Sequence, residues 1–161
     1  MATVEELKKI VILSYLTDEM LEKLCAIVQT TSHAEGDTIF TEGAPADRIY
    51  LLKGGKILLE QTISDTITAS LGSVKPGYSF GWSAMLNQES YTSGAVCAES
   101  CEVYAINAQS LKNLCDQDYK MGYLFYQRLL RVIKKRHDRR TEQFVRVISD
   151  HPDIKGLLED V

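Results

Sequence analysis

The chain has 161 residues, of which 45% are hydrophobic and 25% are charged, and its formal net charge is −4. This length and composition are typical of one folded domain with short additions, and they exclude a disordered or collagen-like chain. The first residues include Glu5, Glu6, Lys8 and Lys9, where a signal peptide would need an apolar run. No stretch approaches the roughly 18 apolar residues that cross a bilayer. We therefore expect a cytoplasmic protein without a membrane span.

The N-terminal part of the sequence predicts two short amphipathic helices. Residues Val4 to Leu13 mix apolar and charged positions, and Thr17 is a suitable N-cap for a second helix. The apolar face of that second helix is predicted to contain Met20, Leu21, Leu24, Cys25 and Val28. Residues 1–35 are predicted to form an N-terminal helical segment.

From Gly36 onward, short β-rich runs alternate with glycine turns. The predicted strands are Thr38–Thr41, Arg48–Leu52, Lys56–Ile63, Ile67–Leu71 and Ala95–Ile106. Gly54 and Gly55 separate two of these runs, and the pair predicts a β-hairpin because glycine reaches positive φ at little steric cost. Many short strands with regular turns indicate a mostly β protein with flanking helices. Residues 36–109 are expected to form an antiparallel sandwich, jelly roll or barrel.

Helical periodicity returns at Ser110 and predicts a long amphipathic helix. Its apolar positions are Met121, Leu124, Phe125, Leu129, Val132 and Ile133, with Tyr123, Tyr126 and Leu130 in addition. This apolar face is wider than packing on the β-domain alone requires. We therefore expect part of it to pack on a second chain, in a homodimer formed through the helix within residues 110–146. Residues 147–161 are predicted to form a short tail with a turn and a short helical piece.

A basic run lies at the end of this helix. Eight basic residues between Arg128 and Arg146 stand against Asp138 and Glu142, a local charge of +6, while the rest of the chain carries −10. The run is compatible with a solvated helix face, where cations also favour the C-terminal end of the helix dipole. It is also compatible with attraction to nucleic acid, an anionic membrane surface or an acidic partner.

The residues that often carry metal or catalytic chemistry are few and scattered. The cysteines are Cys25, Cys97, Cys101 and Cys115, and none forms a Cys-x-x-Cys pair. If Cys97 and Cys101 share one strand, about 13 Å separates them at ~3.3 Å per residue, which is too far for a disulfide. The histidines are His33, His137 and His151, and all lie outside the predicted strands. We expect no metal site, no catalytic residues and no enzymatic activity.

Four short motifs, three of which contain glycine, occur together along the chain. They are Gly36-Asp37-Thr38-Ile39-Phe40-Thr41-Glu42-Gly43, Asp47-Arg48-Ile49-Tyr50, Gly55-Lys56-Ile57 and Lys75-Pro76-Gly77-Tyr78-Ser79-Phe80-Gly81. In this combination the sequence resembles the cyclic-nucleotide-binding domain family, which includes catabolite-activator-type regulators and kinase regulatory subunits. The resemblance extends from about Leu16 to Arg136. It implies an antiparallel jelly roll of about eight strands, N-terminal helices, a long C-terminal helix and a regulatory function.

The resemblance also implies where a ligand would bind. In that family, a Phe-Gly-Glu, a small helical turn, and an Arg followed by a small residue hold the cyclic phosphate. This chain keeps the frame but has Trp82 at the position of the Glu and Tyr91 at the position of the Arg, which leaves no cation from Gly77 to Glu102. Thr92 and the amides of Ser83 and Ala84 could still donate to a phosphate. The implied ligand-binding residues are Phe80, Gly81, Trp82, Ser83, Ala84, Tyr91 and Thr92.

Three interpretations of this altered segment remain open. The pocket is remade for another, nucleotide-like small ligand; or it is filled, and the chain is a protein-interaction or adaptor module; or the backbone amides still bind cyclic AMP or cyclic GMP weakly. The run from Phe80 to Ala84 with Tyr91-Thr92 resembles a variant of stand-alone bacterial members. Only 15 residues follow Arg146, too few for a helix-turn-helix domain, so we expect no sequence-specific DNA binding. Any output is expected to pass through an unknown downstream protein.

Overall fold

The fold is described on a computed structural model, which covers residues 2–86, 90–152 and 154. The strands are β1 Val28–His33, β2 Thr38–Phe40, β3 Arg48–Gly54, β4 Ile57–Ser64, β5 Ile67–Val74, β6 Ser79–Phe80, β7 Gly94–Cys97 and β8 Cys101–Asn107. The helices are α1 Val4–Leu7, α2 Asp18–Cys25, α3 Ala108–Gln117 and α4 Tyr119–Ser149, with 3₁₀ turns at Val11–Leu13 and Trp82–Met85. One compact unit ends at Phe125 and a second begins at Tyr126.

The eight strands form two antiparallel sheets of four strands each. Their orders are β1-β8-β3-β6 and β2-β7-β4-β5. Together with the N-terminal helices and the long C-terminal helix, this arrangement confirms the predicted mostly β fold with flanking helices. None of the helices in the described part of the chain could cross a lipid bilayer.

The core of the β-domain contains apolar side chains from both sheets. Period-two alternation, as along β7 and the first half of β4, directs one set of side chains inward, where they are removed from water. The buried members of this cluster are Phe40, Leu52, Ile57, Leu59, Val74, Phe80, Tyr91, Ala95, Cys97, Cys101 and Val103. The cluster therefore includes two residues, Phe80 and Tyr91, that the sequence assigns to the candidate binding segment.

The N-terminal helices are capped largely as predicted, but one is shorter than expected. Thr17 caps α2, and its side chain accepts a hydrogen bond from the Met20 N–H at 3.4 Å. The predicted helix from Val4 to Leu13 is wrong beyond Leu7, because the Val11 N–H donates to the Gly77 carbonyl at 2.8 Å and the chain turns away. A tertiary hydrogen bond thus replaces the helical one.

The Gly54-Gly55 turn does not close a β-hairpin. Strand β3 pairs with β8 and β6, whereas β4 pairs with β5 and β7. The two glycines therefore carry the chain from one sheet to the other. Gly55 adopts a left-handed conformation with φ of +89° and lies against the backbone of Ser100 and Cys101, where a side chain has no room.

The predicted single strand from Ala95 to Ile106 is also wrong. Cys97 ends β7 and Cys101 begins β8, and the chain turns between them to change sheets. The separation of about 13 Å that assumes one strand therefore does not apply. Burial and a hydrogen bond with the Cys101 thiol raise the pKa of the Cys97 thiol to about 12, so this buried thiol stays protonated at neutral pH.

Two strands and the C-terminal end of the chain differ from the sequence prediction. Val28, predicted on a helix face, begins β1, and His33, predicted outside the strands, ends it. The two-residue strand β6 was not predicted either. At the C-terminus, residues 147–149 of the predicted tail are still part of α4. Residues 153 and 155–161 of that tail lie outside the described residues.

We predict that Gly55→Ala destabilises the fold by about 2–5 kcal/mol. The left-handed backbone costs about 1–2 kcal/mol for an alanine, and overpacking against the Cys101 Sγ, 2.7 Å from the added Cβ, costs about 1–3 kcal/mol. Gly43→Ala is the matched control, because Gly43 has φ of +79° but nothing within 4 Å of an added Cβ. Urea unfolding measures both. Equal losses in the two variants would contradict the close packing of Gly55.

Candidate functional site

The candidate segment begins with a glycine that no other residue replaces easily. Gly81 has φ of +73° and starts the 3₁₀ turn Trp82–Met85 directly after β6. A Cβ at Gly81 would lie 3.0 Å from the Tyr50 ring and 3.2 Å from the Arg48 carbonyl oxygen. The turn therefore lies directly against the beginning of β3, and this contact positions the residues that follow.

Phe80 lies in the core and joins the candidate segment to β3. Its side chain is fully buried, and it is paired with Tyr50 in the β3–β6 ladder. The Phe80 ring stacks on Tyr50 with 5.3 Å between ring centroids and on Phe40 with 6.0 Å. Such aromatic contacts add about 0.5–1.5 kcal/mol each beyond the burial of their area. Phe80 is thus a packing residue of this aromatic cluster.

Tyr91, which the sequence resemblance assigns to the position of an arginine, is also inserted in the core. Only 3% of its surface is exposed. Its ring stacks on Phe40 with 3.9 Å between centroids and 17° between planes. The Tyr91 backbone is held as well, because its N–H donates to the Ala44 carbonyl and its carbonyl accepts from the Gly43 N–H, both at 2.9 Å.

The phenol of Tyr91 is bonded to the polypeptide backbone on both sides. Its hydroxyl donates to the Arg48 carbonyl at 2.8 Å and accepts from the Arg48 N–H at 3.2 Å. Burial raises the pKa of the Tyr91 phenol above its ordinary value of about 10. The residue is therefore neutral at physiological pH, and its hydroxyl hydrogen bonds are made within the protein.

Trp82, which the sequence resemblance assigns to the position of a glutamate, also forms an internal hydrogen bond. The indole Nε1–H donates to the Ser79 hydroxyl at 2.9 Å, and Ser79 itself is 1% exposed. The Trp82 side chain is half-buried. An indole has one N–H donor and no acceptor. Trp82 therefore offers a ligand a partly exposed aromatic surface, whereas its N–H is already bonded.

The remaining predicted residues are distributed between the interior and the surface. Ala84 is buried, and its N–H donates to the Gly81 carbonyl at 3.4 Å. This amide is therefore already bonded within the protein, whereas the sequence predicts that it could donate to a phosphate. Ser83 is half-buried and Thr92 is exposed. Residues 87–89 of the segment lie outside the described residues. The structure thus brings Phe80, Gly81 and Tyr91 together around Phe40 and Tyr50, while Thr92 lies at the surface.

Arg48 contributes its backbone to this site. Its guanidinium donates to the Gln29 side-chain oxygen at 2.9 Å and lies 3.7 Å from the Asp47 carboxylate. No sequence pattern singles out Arg48, Phe40 or Tyr50 as site residues. All three occur in the motifs that carry the family resemblance, but only the folded arrangement shows that Phe40 and Tyr50 pack on Tyr91 and Phe80.

Comparison with known proteins gives a match to a family model and similarity to a protein kinase. The family model of the cyclic nucleotide-binding domain matches residues 30–118 of this chain. The chain is 23% identical over 160 residues to the cGMP-dependent protein kinase, isozyme 1, of Drosophila melanogaster, covering 95% of this chain and 21% of the kinase. This chain therefore spans about a fifth of the length of that relative.

Solved structures share the same architecture. A provisionally assigned cyclic nucleotide-binding protein from Geobacter metallireducens has a TM-score of 0.75 and 27% identity, covering 84% of this chain and 98% of that chain. The catabolite activator protein of Thermus thermophilus has a TM-score of 0.71 and 22% identity, covering 86% of this chain and 62% of that chain. The second likeness establishes the fold alone, because its sequence identity is low.

We predict that Tyr91→Phe lowers the free energy of unfolding by about 1–3 kcal/mol, because it leaves the Arg48 N–H and carbonyl without their buried partner. Tyr78→Phe is the control, since 40% of Tyr78 is exposed, and a surface change of this kind should stay within about 0.5 kcal/mol. Urea unfolding of both variants checks the difference. A Tyr91→Phe variant as stable as the control would mean that the phenol does not hold the start of β3.

Proposed function

The chain belongs to the cyclic nucleotide-binding domain family, and we propose that it is a regulatory sensor module whose binding segment is altered away from cyclic AMP. One observation carries the proposal. Tyr91 stands at the position of the family's phosphate-binding arginine, and its phenol is neutral, buried and bonded to the Arg48 backbone. A cyclic phosphate would meet no cation there.

The energetic consequence of that replacement is large. A hydrogen bond to a charged group contributes roughly 1.5–3 kcal/mol, and an arginine offers a phosphate two such bonds. Loss of both weakens binding by very roughly 100-fold to 10,000-fold. Trp82 stands where the family has a glutamate. The carboxylate that would accept a hydrogen bond from a ribose hydroxyl is therefore missing as well. A ligand suited to this segment would be flatter or less charged than a cyclic nucleotide, and would stack on the exposed part of Trp82.

A second candidate function is a protein-interaction or adaptor module with a filled pocket. The contact between Tyr91 and Phe40, with 3.9 Å between ring centroids, favours it because this ring already occupies the core beside the candidate segment. Weak binding of cyclic AMP or cyclic GMP is the third candidate. It would depend on the Ser83 amide and on Thr92, whose side chain is exposed.

We further propose that the module is a homodimer formed through α4, with residues 36–109 as the ligand domain and residues 110–146 as the dimerisation region. Tyr119, Tyr123 and Leu130 are 82%, 66% and 65% exposed. Their spacings of four and seven residues place them on one helix face. A second copy of this face would cover them. In this proposal the module is cytoplasmic, has no catalytic activity of its own, and transmits its signal to a downstream protein.

We predict that the native protein shows no micromolar binding of cyclic AMP or cyclic GMP in calorimetric titrations. A Trp82→Glu plus Tyr91→Arg variant restores the family's charged pair and should bind cyclic nucleotide more tightly than the native chain. Circular dichroism must show that this variant folds, because an arginine buried without a ligand is costly. A Trp82→Glu single variant, which buries no new cation, is the matched control and should remain without affinity.

The outcomes separate the three candidate functions. Micromolar binding by the native protein would overturn the altered-pocket proposal. It would favour the third candidate, in which backbone amides and Thr92 bind the cyclic nucleotide. If the native protein binds no cyclic nucleotide, Trp82 fluorescence across a panel of nucleotides and nucleosides separates the other two. A response to a member of the panel would support an altered sensor, and no response to any of them would favour the adaptor.

The dimer is tested by its mass in solution. We predict that sedimentation of the native chain gives twice the 18.1 kDa of one copy, and that Tyr123→Glu plus Leu130→Glu gives the monomer, because it places like charges in the contact. Ile63→Glu is the control, since Ile63 is as exposed, at 67%, but belongs to the β4–β5 hairpin and not to the helix. A native monomer, or a dimer that survives the double substitution, would contradict dimerisation through this face.

A further inference from the structure

The distal part of α4 exposes an unusual concentration of large apolar side chains. Phe144, Val145, Val147 and Ile148 are 64%, 55%, 71% and 41% exposed. Scattered surface hydrophobics are normal in proteins, whereas contiguous exposed patches mark interaction sites. Four such residues within five positions form a contiguous patch, which we name the distal apolar patch.

The width of this patch indicates what kind of surface would cover it. At about 100° per residue, its four side chains spread over roughly 160° of the helix circumference. A two-stranded coiled-coil seam is a narrower stripe of positions spaced three and four residues apart. An arc this wide suits a broad, flat apolar phase better than the side of one helix.

Basic residues complete the amphipathic pattern. Lys135, Arg139 and Arg146 are exposed and lie on the face opposite the patch, whereas Lys134, His137 and Arg140 lie on the side of the patch in the preceding turns. Glu142 is the acidic residue of that opposite face, and Asp138 is already paired with Lys134 at 2.7 Å. From Glu142 to Ser149 the helix is thus apolar on one side and polar on the other, which is the pattern of helices that lie in the interface of a membrane. The long side chains of Lys134 and Arg140 can extend from the apolar side to the headgroups.

We propose that the distal part of α4, residues 134–149, binds an anionic lipid surface. The helix would lie parallel to the bilayer, with the distal apolar patch inserted at the boundary between headgroups and acyl chains and with its lysine and arginine side chains among anionic headgroups. A nucleic acid would use the cations but not the four exposed apolar side chains. This surface is remote in sequence from the binding segment, so the inference does not depend on the function proposed for that segment.

The test is sedimentation of the full chain with phosphatidylcholine vesicles that contain or lack phosphatidylserine. The expected result is binding to the anionic vesicles, weakened by added salt because exposed charges are screened, and little binding to the neutral ones. Arg139→Gln plus Arg146→Gln should weaken binding roughly 25-fold, at about fivefold for each cation near the surface. Lys9→Gln plus Lys75→Gln, which removes two exposed cations elsewhere, should leave it unchanged.

The apolar contribution is tested separately, because it distinguishes a membrane from a polyanion. Phe144→Ser, Val147→Ser and Ile148→Ser together should weaken binding by roughly tenfold or more, since each change removes inserted methylene groups. The matched control is Ile63→Ser plus Ile67→Ser, two side chains on the β4–β5 hairpin that are 67% and 55% exposed. The solution mass of each variant is measured in parallel, so that a loss of dimerisation is recognised as a separate effect.

Three results would overturn the proposal. The first is the absence of binding to anionic vesicles at low salt. The second is vesicle binding that the triple serine variant leaves unchanged, particularly if duplex DNA binds with equal affinity, because the cations alone would then account for it. The third is a triple serine variant that binds vesicles as the native chain does but loses its dimer mass, which would assign the distal apolar patch to a second copy of the chain.

Discussion

The arrangement of the β-domain around its candidate segment depends on the two hydrogen bonds between the Tyr91 phenol and the Arg48 backbone. Arg48 begins β3, the strand that lies between β8 and β6 in its sheet. The same Arg48 carbonyl lies 3.2 Å from where a Cβ of Gly81 would be. The start of the central strand, the left-handed turn after β6 and the phenol of Tyr91 therefore meet at the Arg48 carbonyl. A change at any of them requires the others to shift.

The strands that could be predicted from sequence are those that bury one face. In β3 and β4, apolar residues at alternating positions identify the strand, and the Gly54-Gly55 pair marks the end of β3. Strand β1 has no such pattern, because Gln29, Thr30, Thr31 and Ser32 are all exposed, and the strand exists through its pairing with β8. The Gly54-Gly55 turn was misassigned for a related reason. Local sequence predicts a turn, but which strands pair across it is decided by distant residues.

The sequence predicts which residues belong to the candidate site, but not their contacts. Trp82 and Tyr91, which the family frame assigns to the binding segment, lie between β6 and β7. The aromatic residues around Tyr91 and Phe80, which are Phe40 and Tyr50, come from two other strands, and the partners of the phenol are the backbone N–H and carbonyl of Arg48. Because any residue type has the same backbone N–H and carbonyl, no side-chain pattern identifies Arg48 as that partner.

The two departures from the family frame are physically consistent with each other. An arginine and a glutamate in a half-buried segment need a charged or hydroxyl-bearing ligand to satisfy them, and each is costly to bury alone. The residues that the family frame assigns to those positions are aromatic, and their polar atoms are bonded internally, Trp82 to Ser79 and Tyr91 to Arg48. These hydrogen bonds need no ligand. If the module still responds to a small molecule, that molecule must offer enough apolar contact to compete with rings that are already packed, which excludes recognition by charge alone.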